Sequence, residues 1–291
     1  MKEVKLSVVL ATRNEEKNIS DCLKSVKDIA GEIIVVDESS EDKTRELARS
    51  LGAEVYKVKH SSIFHKTKQI ALDKAKGEWI LQLDADERVT PLLAKEINEV
   101  INLTSEQIKS RQNPYELKRK LFERHEALVK NKFSFNSNSS EIDAFLLPRK
   151  NLFLGAPLIH AGVYPDPAIR LVKNGKAYFP SKSVHENMTV KGNIAWLFND
   201  LLHEDSPTFN RYIERFNRYT DLHAEELKKE NVKLNAFQFF LYSFPIPFGN
   251  FIKLYIRHRG YLDGMRGFVW SLFSSLHYPI AYFKYCEMNH V

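Results

Sequence analysis

The stretch Trp79-Ile80-Leu81-Gln82-Leu83-Asp84-Ala85-Asp86-Glu87-Arg88 decides how the chain is read. Five mostly apolar residues follow a break at Gly77 and end abruptly in acid, the pattern of a short buried strand. Asp84 and Asp86 stand two positions apart at its carboxyl end, and in extended backbone residues i and i+2 point to one side. Two carboxylates so placed can share a hard cation such as Mg²⁺ or Mn²⁺, which takes oxygen ligands. In open α/β sheets, ligands bind outside the carboxyl ends of the strands. The doublet therefore stands where a metal-bound phosphate would be held. The same tripeptide also reads as a solvated acidic turn before a helix, and only its surroundings separate the two.

Upstream, residues 6–11 form an apolar first strand, followed by Thr12-Arg13-Asn14-Glu15-Glu16. Asn14 is predicted to cap a helix whose apolar face is Ile19, Cys22, Leu23 and Val26. Residues 32–36 make a second strand closing on Asp37-Glu38-Ser39-Ser40, and a helix with Leu47, Ala48 and Leu51 on one side follows. Residues 54–58 alternate as a third strand, and 63–76 read as loop, then helix. Thr90-Pro91 after the acidic stretch is a helix start, with Thr as cap and Pro in the first turn. Strand and helix thus alternate four times in about a hundred residues, which predicts an α/β fold with a mostly parallel sheet flanked by helices. The polar clusters at three strand ends should converge on one crevice. Neither Gly-x-Gly-x-x-Gly nor Gly-x-x-x-x-Gly-Lys is present, so phosphates are not held in a dinucleotide or P-loop cradle. Asp37 can accept from a base or ribose, or cap the next helix. Lys66 and Lys68 can approach a diphosphate, or stand as a solvated helix start.

The 291 residues are 43% hydrophobic and 27% charged, which places the chain with folded rather than disordered proteins. A formal charge of +6 suits an anionic partner: a nucleotide diphosphate, an anionic membrane or nucleic acid. Two distant cysteines, Cys22 and Cys286, make neither a disulfide framework nor a metal motif. With no long apolar run at the N-terminus, a reducing, cytoplasmic setting is expected.

Residues 102–140 are polar and end in a Ser/Asn cluster, the composition of a loop. Beyond them, 143–148 suggests a strand, with turns near Gly155, Gly162 and Asp166. Residues 169–172 and 178–179 suggest short strands about a hairpin turn at Asn174-Gly175. In Val184-His185-Glu186 either titratable group can serve as a general base, but neighbours in a strand face opposite ways. The tail has no charge between Lys233 and Lys253, and Pro245, Pro247 and Gly249 interrupt it. A spanning helix needs about 20 continuous apolar residues, so one straight span is not expected. Lys253, Arg257, His258 and Arg259 form a basic patch. A second uncharged run, 267–283, carries Trp270, Phe273, Tyr278, Tyr282 and Phe283. Aromatic segments flanked by cations suit a membrane interface; a helical lid or a dimer face are the other uses.

The motifs Ser7-Val-Val-Leu-Ala-Thr-Arg-Asn-Glu-Glu16, Ile33-Ile-Val-Val-Asp-Glu-Ser-Ser40 and Leu83-Asp-Ala-Asp-Glu-Arg88 resemble the family-2 glycosyltransferases of the GT-A fold. Phe153-Leu-Gly155, Gly162-Val-Tyr-Pro-Asp166, Arg170-Leu171, Val184-His-Glu186 and Tyr261-Leu-Asp-Gly264 are similar to the branch that builds the lipopolysaccharide core, the β-glucosyltransferases. The resemblance implies a Rossmann-like nucleotide-diphospho-sugar transferase fold and a nucleotide-diphosphate sugar donor, of the UDP-sugar kind. It further implies a divalent metal (Mg²⁺ or Mn²⁺) and inversion at the anomeric carbon. On that footing Thr12, Asn14, Glu15 and Asp37 line the nucleotide pocket, with Lys68 and Asp84 toward the diphosphate. Asp86 and Asp84 take the metal, and the base is Glu186, then Asp166, then His185. The acceptor is a glycolipid or lipid-linked saccharide, with no nucleic acid partner, and the protein sits peripherally on the inner face of the membrane. The segments follow as 1–101 for the donor half, 102–140 an insertion, 141–205 the acceptor half, and 206–291 a helical, aromatic-rich, membrane-associated extension. Where the branch often has Asp-Ser-Gly-Ser, this chain has Asp37-Glu38-Ser39-Ser40, and its 102–140 segment is longer. The alternatives are a non-catalytic, membrane-docked sugar-binding scaffold and an Asp-x-Asp phosphotransferase. In the latter the doublet normally follows the first strand, not the fourth. Sugar nucleotidyltransferases open with a Gly-rich loop that is absent here.

Overall fold

The computed structural model describes residues 4–61, 63–116, 119, 122, 140–180 and 188–289. The chain forms two compact units, residues 1–149 with 165–203, and residues 150–164 with 204–291. This division differs from the sequence segments chiefly at 150–164, which cluster with the helical unit.

The first unit is built on a sheet. Strands β1 (Leu6–Thr12), β2 (Glu32–Asp37), β3 (Glu54–Lys57) and β4 (Trp79–Leu83) alternate with helices α1 (Ile19–Val26), α2 (Thr44–Ser50) and α3 (Phe64–Lys74). They pair in parallel in the order β3-β2-β1-β4. A short strand β5 (Glu87–Val89) precedes α4 (Pro91–Val100) and α5 (Ser105–Ser110). Thr90 caps α4 by accepting from the Leu93 amide at 3.2 Å, with Pro in the first turn. Beyond β4 the sheet becomes antiparallel, through β8 (Asp166–Lys173) to β6 (Ile142–Phe153). Farther on, residues 201–203 of β12 (Leu201–Ser206) run antiparallel to β5. Alternation holds on both sheet faces. Leu6, Val8, Leu10, Leu81 and Leu83 enter one core, and Val9, Ile34, Val36 and Ile80 the other, as expected when helices cover both sides.

Two local expectations fail. The cap residue before α1 is Asn18, while Asn14 sits four residues earlier with φ 55°, a left-handed conformation that Asn tolerates. The Asn174-Gly175 turn forms, with Gly175 at φ 76°, but it does not make a hairpin: β9 (Ala177–Tyr178) pairs with β10 (Thr189–Val190). β11 (Asn193–Trp196) adds a parallel partner to β6. Residues 123–139, the Ser/Asn cluster of the polar insertion, lie outside the described residues.

The second unit is mainly helical. A two-residue strand β7 (Ala156–Pro157) pairs with the end of β6. Then come α6 (Phe209–Lys229), α7 (Ala236–Ser243), α8 (Pro245–Phe251), a π-helix (Ile252–Arg257), a 3₁₀ turn (Gly260–Asp263) and α9 (Gly264–Met288). The prolines end α7 and open α8, as their missing N–H and fixed φ require. Phe153, Leu158, Tyr212, Trp270 and Phe273 form one core, and Ala224, Leu227, Ala281, Tyr282 and Tyr285 a second. The 3₁₀ turn lies directly on α9: a Cβ at Gly267 would stand 1.8 Å from the Gly260 carbonyl oxygen. Among the described residues, no helix is long and apolar enough to cross a membrane.

Candidate active site

The parallel register places the polar strand ends side by side. Thr12 of β1 lies opposite Asp37 of β2, and Leu10 opposite Leu83 of β4, so the turn starting at Asp84 emerges on the edge that carries Thr12 and Asp37. Two hydrogen-bonded clusters form there.

The first is organised by Asp37, which is fully buried. Its carboxylate accepts from Thr12 Oγ1 at 3.2 Å, the Ser40 amide at 2.9 Å, Arg45 Nη1 at 2.8 Å and the Ser40 hydroxyl. A buried carboxylate needs this many donors. The loop after β1 is tied to the loop after β2: the Asn14 amide donates to Ser40 Oγ at 2.8 Å, and Asn14 Oδ1 accepts from the Glu41 amide at 2.8 Å. The Glu15 amide donates to Thr44 Oγ1 at 2.8 Å, and its carboxylate accepts from Asn18 at 2.8 Å. Glu38, also fully buried, accepts from the Thr67 hydroxyl and pairs with His60 at 2.8 Å. It thereby links the end of β2 to α3.

The second cluster surrounds the acidic turn. The Asp84 carboxylate meets Lys68 Nζ at 2.5 Å on one oxygen and Arg170 Nη2 at 2.6 Å on the other. Arg170, buried on β8, also donates to Gln82 at 2.6 Å and to fully buried Glu87 at 2.8 Å. Glu87 in turn accepts from the Asp84 amide at 3.0 Å. Arg149 pairs with Asp166 at 2.7 Å and approaches Glu87 at 3.6 Å. Burial by itself would raise the Asp84 pKa, but the charges of Arg170 and Lys68 prevail and hold it well below the usual carboxylate range. Burial likewise works against charged Arg170, and Asp84 and Glu87 more than restore it.

Asp84 and Asp86 do not face one another's partners. The chain turns at once, the Glu87 amide donating to the Asp84 carbonyl at 3.0 Å, so the extended geometry that would align them ends at Leu83. Asp86 instead meets His203 Nε2 of β12 at 3.5 Å. Burial would lower the His203 pKa, but its hydrogen bond to Asp86 and the nearby negative charge raise it above the ordinary value.

Of the residues singled out in the sequence, Thr12 and Asp37 touch, Lys68 and Asp84 touch, and Asn14 and Glu15 brace the neighbouring loop. Asp166 is held by Arg149. His185 and Glu186 lie outside the described residues. Arg170, Glu87, Arg149, Glu38 and His203 were not singled out for the site. Arg170 had a signal, a lone charge in the apolar run Ile169-Arg170-Leu171-Val172.

A divalent cation fits this donor set only in part. Among the described residues, no three His, Cys, Asp or Glu side chains gather as a metal-binding group. Both oxygens of Asp84 are engaged by cationic side chains. Asp86 and His203 offer one carboxylate oxygen and one imidazole nitrogen from separate elements, a start for an ion that accepts oxygen and nitrogen.

A mixed α/β sheet in this order, with polar turns after three adjacent parallel strands, has the architecture of the GT-A nucleotide-diphospho-sugar transferases. Residues 7–148 match the family model for Glycosyl transferase family 2. It is similar to the lipopolysaccharide core biosynthesis glycosyltransferase LpsC of Rhizobium meliloti, 24% identical over 278 residues, covering 94% of this chain and 88% of that protein. An uncharacterized glycosyltransferase of Rickettsia bellii is 44% identical over 93 residues, 32% of this chain. The chain spans 31% of that relative's length. Among solved structures, the mannosyltransferase PcManGT from Pyrobaculum calidifontis, in complex with GDP-Man and Mn²⁺, superposes with a TM-score of 0.46 at 14% identity. That match covers 95% of this chain and 74% of the other.

Proposed function

We propose that the protein transfers a hexose from a nucleotide-diphosphate sugar, of the UDP-sugar kind, to a lipid-linked or lipopolysaccharide-type acceptor, with inversion and with a divalent cation. The observation that carries this reading is the acidic turn after β4, gripped by Lys68 and Arg170 beside the strand ends that bear Thr12 and Asp37. The likeness to LpsC, a lipopolysaccharide core biosynthesis glycosyltransferase, supports the acceptor class.

In this reading Thr12, Asn14, Glu15 and Asp37 shape the nucleoside side of the crevice, while Lys68 and Asp84 orient the diphosphate. Asp86, with His203, would hold Mg²⁺ or Mn²⁺, which when bound offsets charge developing on the diphosphate. Glu186 takes the proton of the acceptor hydroxyl as that oxygen bonds to C1 and the bond from C1 to the diphosphate oxygen breaks on the opposite face. Asp166 is the second choice, its carboxylate already shared with Arg149, and His185 the third. The helical unit rests on the inner face of the membrane, where such acceptors are embedded.

The test is nucleoside diphosphate release, measured across nucleotide sugars with Mg²⁺ or Mn²⁺ and an acceptor glycolipid. Asp86→Ala should lower turnover by about 10²-fold. Glu186→Gln should keep donor binding and lose transfer. Inorganic phosphate released from a phosphomonoester would instead place the chain with the phosphotransferases. Binding of sugars without turnover of any donor would make it a scaffold.

A further inference from the structure

The helical unit carries a surface that the transfer reaction leaves unexplained. None of the residues of α7 is buried, although the helix holds Phe237, Phe239, Phe240, Leu241 and Tyr242. Phe237, Phe240, Phe244 and Phe248 are each more than half exposed. A folded monomer rarely leaves this much contiguous aromatic surface in water without a use.

Beside these rings runs an open groove of about 570 Å³, walled by Phe240, Phe244, Phe248 and Phe251 on one side and by Leu272 and Leu276 of α9 on the other. Its volume is in the range of small-molecule sites. Its wall is almost wholly carbon, so whatever lies in it must be apolar along its length. Two serines interrupt the wall: the Ser275 hydroxyl donates to the Ser271 carbonyl at 2.6 Å, whereas Ser243 Oγ is buried and has no hydrogen-bond partner among the described residues. An unpaired buried hydroxyl is costly, and a single ligand oxygen would relieve it.

Charge names the occupant. From residue 231 to residue 262 there is no Asp or Glu, while Lys233, Lys253, Arg257 and Arg259 are present. An acid-free aromatic segment with cations within and beside it in sequence matches an anionic lipid surface, each cation adding about 1 kcal/mol near the headgroups. We propose that this groove holds one hydrocarbon chain of a membrane lipid, with the Ser243 hydroxyl bonded to the oxygen at the head of that chain. The inference sharpens the membrane reading above and rests on it, but it does not depend on catalysis.

The experiment uses the full chain without detergent and a fluorescent fatty acid below its aggregation concentration. One probe should bind per chain, saturably. Leu272→Trp, which fills the groove from α9, should weaken that binding roughly tenfold or more. The same variant should still sediment with phosphatidylcholine vesicles containing phosphatidylglycerol, and should release nucleoside diphosphate at the wild-type rate. Unsaturable binding, an unchanged affinity in a folded Leu272→Trp protein, or a dimer that the probe does not disperse would overturn the proposal. Should the variant fail to fold, a photoreactive fatty acid on the wild-type protein decides. Labels must fall on residues 236–251 or 264–288, and labels confined elsewhere refute the site. Loss of nucleoside diphosphate release with probe binding intact would count against the transferase reading alone.

Discussion

The two units break the usual rule of protein interiors in opposite ways. The sheet unit takes charge inside: Asp37, Glu38 and Glu87 are fully buried and Arg170 nearly so. The helical unit leaves aromatic rings outside, with Phe248 at 69% and Phe237 at 65% exposure. An exposed leucine or a buried valine says little, whereas buried charge and exposed aromatic clusters point to use. Under the proposals above, the contrast would correspond to two kinds of recognition in one chain. One is built from paired ions and prepared for a charged small molecule. The other is built from bare rings and prepared for an apolar surface.

Tests at four positions probe that contrast. Arg170→Ala should have the largest effect, a loss of about 3–5 kcal/mol in urea unfolding, because it removes the closest cation from buried Glu87 and one of the two cations from Asp84. Arg170→Lys should recover only part, since an ammonium lacks the planar fork that serves Gln82, Asp84 and Glu87 together. A loss below about 1 kcal/mol would mean that the ions are not what holds the turn. Gly267→Ala should come next, costing about 1–3 kcal/mol, because the new methyl meets backbone rather than a side chain that can swing away.

The third test is pH. Burial, with the neighbouring His223 ring 4.9 Å away, pushes the His277 pKa down to about 4, Glu226 opposing and Lys284 assisting. A folded pKa below the unfolded one disfavours the native state once the proton binds. The stability is therefore complete above about pH 6.5 and is lost as pH falls toward 4, by about 1 kcal/mol after allowance for solvent. His277→Phe should flatten that fall in thermal melts between those limits; an unchanged slope would assign it to other groups. The smallest effect belongs to the outer rings. Phe248→Ser should change unfolding free energy by less than about 0.5 kcal/mol and yet reduce sedimentation with anionic vesicles. A large loss of stability would show that the ring packs within the protein after all.

Local signals carried the first hundred residues well. Short apolar runs bounded by turns gave β1, β2 and β4, with β4 at Trp79–Leu83, alternation over 54–58 gave β3, and the Thr90-Pro91 cap gave the start of α4. What escaped was set at long range. Arg170 finds Asp84 across 86 positions of sequence, and His203 finds Asp86 from another strand. No spacing rule contains those pairings. Extended backbone also ends at Leu83, so the alignment of Asp84 and Asp86 that an Asp-x-Asp spacing implies is lost in the turn. Asn14 looked like a cap because its residue type suits one, while its backbone had turned left-handed to reach Ser40. The proline-interrupted tail was legible because proline acts on its own backbone.

The acidic turn at rest is close to an ion-exchange bed already loaded with counterions. Asp84, Asp86, Glu87 and Asp166 set four carboxylates against the permanent cations Lys68, Arg149 and Arg170. A bare pyrophosphate entering there would have to displace a resident anion from lysine or arginine. The same group neutralised beforehand by a dication enters almost without net charge. On the transferase reading proposed above, cation and nucleotide would be better received together than the nucleotide alone.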